Sequence, residues 1–250
     1  MADRTRIPVL QEIYDKLYAA FGPQRWWPGD TPFEIIVGAI LTQNTNWTNV
    51  EKAIANLKAA RCLTADGLRR ISIPRLAHLI KPSGYFNIKA RRLKNFIAFL
   101  FSEFGGDLER MAAEDLSVLR PKILGVNGIG PETADSILLY ALNKPVFVVD
   151  AYTKRFLYRH GLAEQESDYH FLQKLLVDSC RRDVALYNEY HALIVMLGKK
   201  FCRPHPSCET CPLNATYYDT IFRCAKCFRH LPSAVHRRKI KGGYRCRKGC

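Results

Sequence analysis

The chain has 250 residues, 48% of them hydrophobic, with 38 basic against 23 acidic side chains and a net charge of +15. That length builds one or two domains with real cores, and that apolar content excludes a disordered chain. The apolar runs are far shorter than the roughly 18 residues that suggest a membrane span, and the opening MADRTRIPVL lacks the apolar core of a signal peptide.

In chain order, Thr31-Pro32-Phe33-Glu34 has the form of a capping box with proline as first helical residue, and Phe33, Ile36, Val37, Ile40 and Leu41 then mark a helix face. Thr48 to Glu51 repeats the capping pattern ahead of Val50, Ile54 and Leu57. Residues 88–104 read as a helix with a basic start and an aromatic, apolar end. Arg120-Pro121-Lys122-Ile123-Leu124 reads as a short helix opened by its proline. Pro131 opens another, in which Ala134, Ile137, Leu138, Ala141 and Leu142 recur at helical spacing. Val146 to Val149 is strand-like but too short and isolated to found a sheet, and residues 168–200 give one or two more helices. The expected fold class is therefore all-α.

Near residue 200 cysteine, proline and basic residues take over. Residues 221–250 hold ten Lys or Arg and no Asp or Glu, so they supply +10 of the +15 and leave +5 for residues 1–220. A polyanion is the expected partner.

Between the two proline-marked helices lies Asn127-Gly128-Ile129-Gly130. Such a turn allows positive φ and close approach of another backbone. A glycine hairpin followed by a helix start directs free N–H groups outward, where a phosphate oxygen can sit if no Cβ blocks it. Packing of a core is the plainer use of the same turn. Downstream, the extended run Pro145 to Val149 ends in Asp150, ahead of another helix. Asp150 serves either as a simple N-cap or as a carboxylate presented to a site; capping and presentation are compatible.

Gly128-Ile-Gly-Pro-Glu-Thr-Ala134, Val149-Asp150 and the cysteines around residue 202 together resemble the helix–hairpin–helix DNA glycosylases of the endonuclease III branch, over about residues 25–213. The resemblance implies two helical domains with a DNA-binding cleft between them, and a nucleotide flipped out of the duplex. It implies that Asn127, Gly128, Ile129 and Gly130 contact the DNA backbone and that Asp150 is catalytic, stabilising a cation-like sugar and orienting water. Bifunctional members carry a Schiff-base lysine two residues after the second hairpin glycine, where this chain has Glu132. Glutamate forms no imine, so a monofunctional enzyme is expected.

Trp26-Trp27, Gln43 and Trp47 resemble the pattern of the 3-methyladenine DNA glycosylase III group. The implied roles are stacking on an alkylated, positively charged purine and, for Gln43, filling the gap left by the flipped base. Core packing is the ordinary use of such tryptophans.

Nine cysteines without a signal peptide suggest metal or redox chemistry. Cys202, Cys208 and Cys211 resemble the family's iron–sulfur loop, with one residue missing from the first spacing and Cys224 as the available fourth ligand of a [4Fe–4S] cluster. Cys224, Cys227, Cys246 and Cys250 form a competing set, spaced like a zinc ribbon. Cys62 and Cys180 read as buried thiols, and His191 and His205 have no assigned role.

The expected organisation is residues 1–30 packing on the second domain, 31–140 as a helical domain ending in the hairpin motif, 141–213 as a second helical domain with the cysteine loop, and 214–250 as a basic, cysteine-rich, metal-binding tail. The expected protein is a cytoplasmic, nucleoid-associated monomer. Its expected partner is double-stranded DNA containing a damaged base, with no membrane, and its expected reaction is hydrolytic removal of an alkylated purine such as 3-methyladenine. A glycosylase for mismatched thymine or an oxidised pyrimidine, with or without lyase activity, and a non-catalytic DNA-binding protein are the alternatives.

Overall fold

The computed structural model describes residues 6–24, 26 and 29–214, with the backbone of a two-residue antiparallel pairing, Lys239–Ile240 with Gly243–Tyr244. In chain order the helices are α1 (Arg6–Phe21), α2 (Pro32–Leu41), α3 (Trp47–Ala59), α4 (Ala65–Arg70), α5 (Ile73–Leu79), α6 (Phe86–Phe104), α7 (Leu108–Ala113), α8 (Leu116–Leu124), α9 (Pro131–Ser136), α10 (Ala151–Arg159), α11 (Tyr169–Asp178) and α12 (Val184–Lys200). A 3-10 turn, Lys81–Ser83, precedes α6, and a π-helical turn, Ile137–Ala141, continues α9. None of the described helices is long and apolar enough to cross a membrane.

The chain divides into two compact units, Trp27–Val146 and Met1–Trp26 with Phe147–Cys250. In the first, α2 starts where Thr31 accepts a hydrogen bond from the Glu34 N–H and Pro32 occupies the first turn. Ile35, Ile36, Val37, Ile40 and Leu41 are buried, so α2 is apolar nearly all round and forms the centre of the unit. Helix α6 adds Leu93, Phe96, Ile97 and Leu100 to that core. Helix α3 begins two residues earlier than the Thr48 pattern suggests. Asn46 is the cap and accepts from the Asn49 N–H, because its side chain reaches the first turn before Thr48 can.

Pro121 lies inside α8 and does not open it. A proline there removes one helical hydrogen bond, and tertiary packing overrides that cost. Leu119 and Ile123 are buried, and Arg120 makes a two-pronged pair with Asp135 of α9, Nε to Oδ1 at 2.7 Å and Nη2 to Oδ2 at 3.0 Å. Asp135 is fully buried, so this pair joins the two helices that flank the hairpin.

In the second unit α1 packs on α12, where the Tyr190 hydroxyl donates to Leu10 O at 2.8 Å. Residues 168–200 form two helices, α11 and α12, each started by an aspartate cap, Asp168 and Asp183. The run Phe147 to Val149 is buried and extended without a strand partner. Side chains satisfy its backbone instead: Gln173 Nε2 donates to Phe147 O at 2.6 Å, and the Val149 N–H donates to the Tyr169 hydroxyl at 3.3 Å.

Removing one partner of a buried pair leaves the other without its counter-charge. Asp135→Asn is expected to lower the unfolding free energy in urea by about 3 kcal/mol; a loss below about 0.5 kcal/mol would show that the α8–α9 pair is dispensable.

Candidate functional site

In the unit containing residues 147–214, Asp150 caps α10. Its Oδ1 accepts from the Thr153 N–H at 2.8 Å and the Thr153 hydroxyl at 2.9 Å. Its Oδ2 faces His191 Nε2 of α12 at 3.6 Å, too long for a good hydrogen bond but close for an ion pair when the imidazole is protonated. Burial alone would push the Asp150 pKa up. The opposing pull of His191 and the Thr153 donors outweighs it and holds the carboxyl below its ordinary value.

Trp26 stacks on the other side of this constellation. Its ring lies 5.6 Å from the His191 ring, 25° from parallel. The chain just before it is anchored to α12, since the Gln24 N–H donates to Glu189 Oε1 at 2.6 Å. Trp26, His191 and Asp150 thus form one contiguous group. Trp27 lies outside the described residues.

In the unit of residues 27–146, the hairpin presents backbone at its tip. Val126 and Ile129 are buried, while Asn127 and Gly130 are exposed. The two glycines are needed for different reasons. Gly128 has φ +93°, and a Cβ there would collide with the aliphatic stem of Arg92. Gly130 has an ordinary φ of −89°, and a Cβ there would meet nothing within 4 Å. No contact inside the protein therefore excludes a side chain at residue 130. The openness is available to something from outside, next to the first turn of α9, which has no side-chain cap. Glu132 is exposed in that first turn.

Gln43 sits against this hairpin. Its Nε2 donates to Gly128 O at 3.1 Å and Thr133 Oγ1 at 2.9 Å, and its Oε1 accepts from Arg92 Nη1. Trp47 packs over Gly38 of α2, where a Cβ would come within 3.2 Å of its ring, which is the ordinary core use of an aromatic. The structure thus links Trp26 to Asp150 through His191, and Gln43 to the hairpin.

His191, Thr153, Arg92 and Thr133 are the residues that sequence reading leaves without a role. Each lies far in sequence from its partner or follows it by one turn, so periodicity carries no signal for it. Tyr85 is a further one: it is 67% exposed and left-handed (φ 44°, ψ 31°) ahead of α6. An exposed aromatic on a strained backbone is a candidate for contact with a base.

Among the described residues no group of three or more His, Cys, Asp or Glu side chains is placed to hold a metal ion. Cys202 is buried and Cys208 and Cys211 are half-buried. Arg159, 2% exposed, donates to Cys202 Sγ at 3.3 Å and to the carbonyls of Arg203 and Pro204. Cys224, Cys227, Cys246 and Cys250 lie outside the described residues. Cys62 is a buried thiol, as expected, and Cys180 is half-buried; burial raises the pKa of both.

Residues 37–182 match the model of the HhH-GPD superfamily base excision DNA repair proteins. A protein of Methanocaldococcus jannaschii named as a DNA repair glycosylase is 44% identical over 211 residues, covering 84% of this chain and 96% of its own. The crystal structure of H. pylori 3-methyladenine DNA glycosylase (MagIII) bound to 1,N6-ethenoadenine is 31% identical with a TM-score of 0.65, over 78% of this chain and 95% of that one. A non-covalent endonuclease III–DNA complex, 20% identical, shares the fold with a TM-score of 0.72, over 83% and 92% of the two chains. With the hairpin, the following Asp150 and more than half of the chain matched, the protein belongs to the HhH-GPD superfamily of base excision DNA repair glycosylases.

Proposed function

We propose that this glycosylase is monofunctional: it flips a damaged base, an alkylated purine such as 3-methyladenine, out of duplex DNA and removes it by hydrolysis. The observation that carries the reading is the half-buried Asp150, held as a carboxylate, facing His191, on whose ring Trp26 stacks. The C1′–N bond breaks with its electron pair leaving on the base, and the sugar becomes cation-like. Asp150 Oδ2 supplies the opposing charge, orients the water whose oxygen then bonds to C1′, and accepts the proton that this water loses, while the cationic alkylated purine departs as a neutral base. Trp26 offers a stacking surface, and an alkylated purine carries positive charge that an aromatic face attracts. The likeness to the H. pylori enzyme supports this substrate class. Glu132 at the position of the family's lysine supports hydrolysis without an imine. The exposed Gly128–Gly130 backbone, with Asn127 and Ile129, is assigned to the DNA phosphates.

For the cysteine loop we propose a [4Fe–4S] cluster held by Cys202, Cys208 and Cys211, with Cys224 as fourth ligand. A buried guanidinium whose partners among the described residues are one thiol and two carbonyls calls for an anion, which a metal-bound thiolate supplies. Zinc on Cys224, Cys227, Cys246 and Cys250 is the competing assignment.

Asp150→Asn keeps the shape and removes the charge. Single-turnover base release from 3-methyladenine duplex should fall at least about a hundredfold while binding persists. Wild-type product should break only on added alkali, and borohydride should trap no protein–DNA adduct. Near-normal release by the variant would reduce Asp150 to a helix cap, and strong trapping would overturn the monofunctional reading. Release confined to thymine mismatches or oxidised pyrimidines would reassign the substrate.

The pH dependence tests the His191 contact. Asp150 works as a carboxylate, so activity is present above its pKa and is lost as pH falls through it. In His191→Asn the pull of His191 that lowers the Asp150 pKa is lost, that pKa rises, and the acid limb of the rate profile should move to higher pH. An acid limb that stays in place would remove His191 from the site.

The metal assignment is checked by iron and sulfide analysis of protein purified without air. Roughly four iron atoms per chain with broad absorbance near ~400 nm are expected. Protein holding zinc alone would favour the ribbon.

A further inference from the structure

Three consecutive residues of α12 each hold a different piece of the Asp150 region. The Tyr190 hydroxyl donates to Leu10 O at 2.8 Å and its ring meets that of Tyr14 edge-on at 5.2 Å, which fixes α1 along α12. Glu189 Oε1 accepts from the Gln24 N–H at 2.6 Å. His191 faces Asp150 Oδ2 at 3.6 Å and carries the stacked Trp26 ring. Successive helical residues point roughly 100° apart. The chain running from α1 to Trp26 is therefore held at successive points around the helix.

The local sequence makes that path. Gly22, at φ +67°, turns the chain out of α1, and its N–H donates to Tyr18 O at 2.8 Å. Gln24 Nε2 then donates back to Phe21 O at 3.1 Å and to Gly22 O at 3.0 Å, which closes the end of the helix. Gln24 is thus tied to the end of α1 by its side chain and to α12 by its backbone. Two residues of chain span at most about 7 Å, so the Glu189 bond limits where the Trp26 ring can lie. A ring tethered in this way and already stacked on His191 gives up little freedom when a base adds to the stack.

We propose that Glu189 is a positioning residue for lesion recognition: by holding Gln24 it sets the Trp26 ring on His191, and so places the stacking surface relative to the Asp150 carboxyl. The proposal rests on the reading of Trp26 as the surface that takes the damaged base. Glu189 acts through Trp26 and not on the base itself. Affinity for undamaged duplex, which phosphate contacts dominate, is independent of it.

Two measurements on the full chain test it. The first is amide hydrogen exchange without DNA, which is independent of any activity. Glu189→Ala should speed exchange of the Gln24 amide by at least about tenfold while the amides within α1 and α12 are unchanged. Glu189→Gln keeps an acceptor oxygen and should stay within about threefold of wild type. Unchanged exchange at Gln24 in the alanine variant, or faster exchange throughout α1, would overturn the tether. The second is release of 3-methyladenine from duplex DNA. Glu189→Ala should lower kcat/KM about tenfold and leave the affinity for undamaged duplex unchanged, and Glu189→Gln should recover most of the loss. Glu189→Ala combined with Trp26→Ala should be no worse than Trp26→Ala alone, because one acts through the other. Losses that multiply, an equal loss on undamaged duplex, or a Glu189→Gln variant as impaired as Glu189→Ala would overturn the positioning role. A Trp26→Ala variant with normal release would refute the stacking reading itself, and the proposal with it; a defective Trp26→Ala variant with multiplying losses refutes the positioning role alone.

Discussion

Burying a carboxylate in its charged form is costly, and the arrangement around Asp150 is organised by that cost. Three features offset it: two donors from Thr153, the facing imidazole of His191, and the start of α10. The second requires α10 and α12 to be held side by side, and these helices pack closely against each other. The extended run that delivers Asp150 is fixed by Gln173 and Tyr169, and the chain that delivers Trp26 is fixed by Glu189. The helix cap and the proposed catalytic carboxylate are one group: capping sets its position through Oδ1 and leaves Oδ2 facing His191.

The unit of residues 27–146 solves a different problem. A hairpin that exposes backbone has little side-chain surface with which to hold its own shape. Ile129 and Val126 turn inward, and the rest is done by polar side chains: Arg120 with Asp135 across the flanking helices, and Arg92 of α6 with Gln43 beneath the turn. Gly128 is shaped by this scaffold, since its φ and the Arg92 stem both demand glycine. Among the described residues nothing lies within 4 Å of a Cβ built at Gly130.

Much of the helical plan was legible in the sequence because it follows from local physics. Apolar recurrence marked α2, and the Thr31 and Asp150 caps are short-range signals that the structure uses, although Glu34, the other half of the expected box, pairs with Lys58. Local signals erred where two were available or where packing overrode one. Asn46 took the cap that Thr48 offered, and Pro121 was tolerated inside α8 because of what its neighbours bury. The family motif made Asp150, Glu132 and the hairpin legible. His191 was not, being 41 residues from its carboxylate on a helix whose spacing reads as core. Nor was Arg92, whose place among a run of basic residues looks like a solvated face. Gln43 was noticed, but only its contacts show that its amide is already engaged. Trp47 was legible only as an aromatic; it is half-buried and packs on Gly38.

The central claim is that Asp150 is an anion despite its burial, and the most direct measurement is its own titration. The carboxyl carbon of Asp150, followed by NMR in full-length protein with selectively labelled aspartate and assigned with Asp150→Asn, should titrate below the ordinary aspartate value. A midpoint near or above neutrality would mean that burial wins, that the carboxyl is neutral under working conditions, and that it stabilises no cation-like sugar.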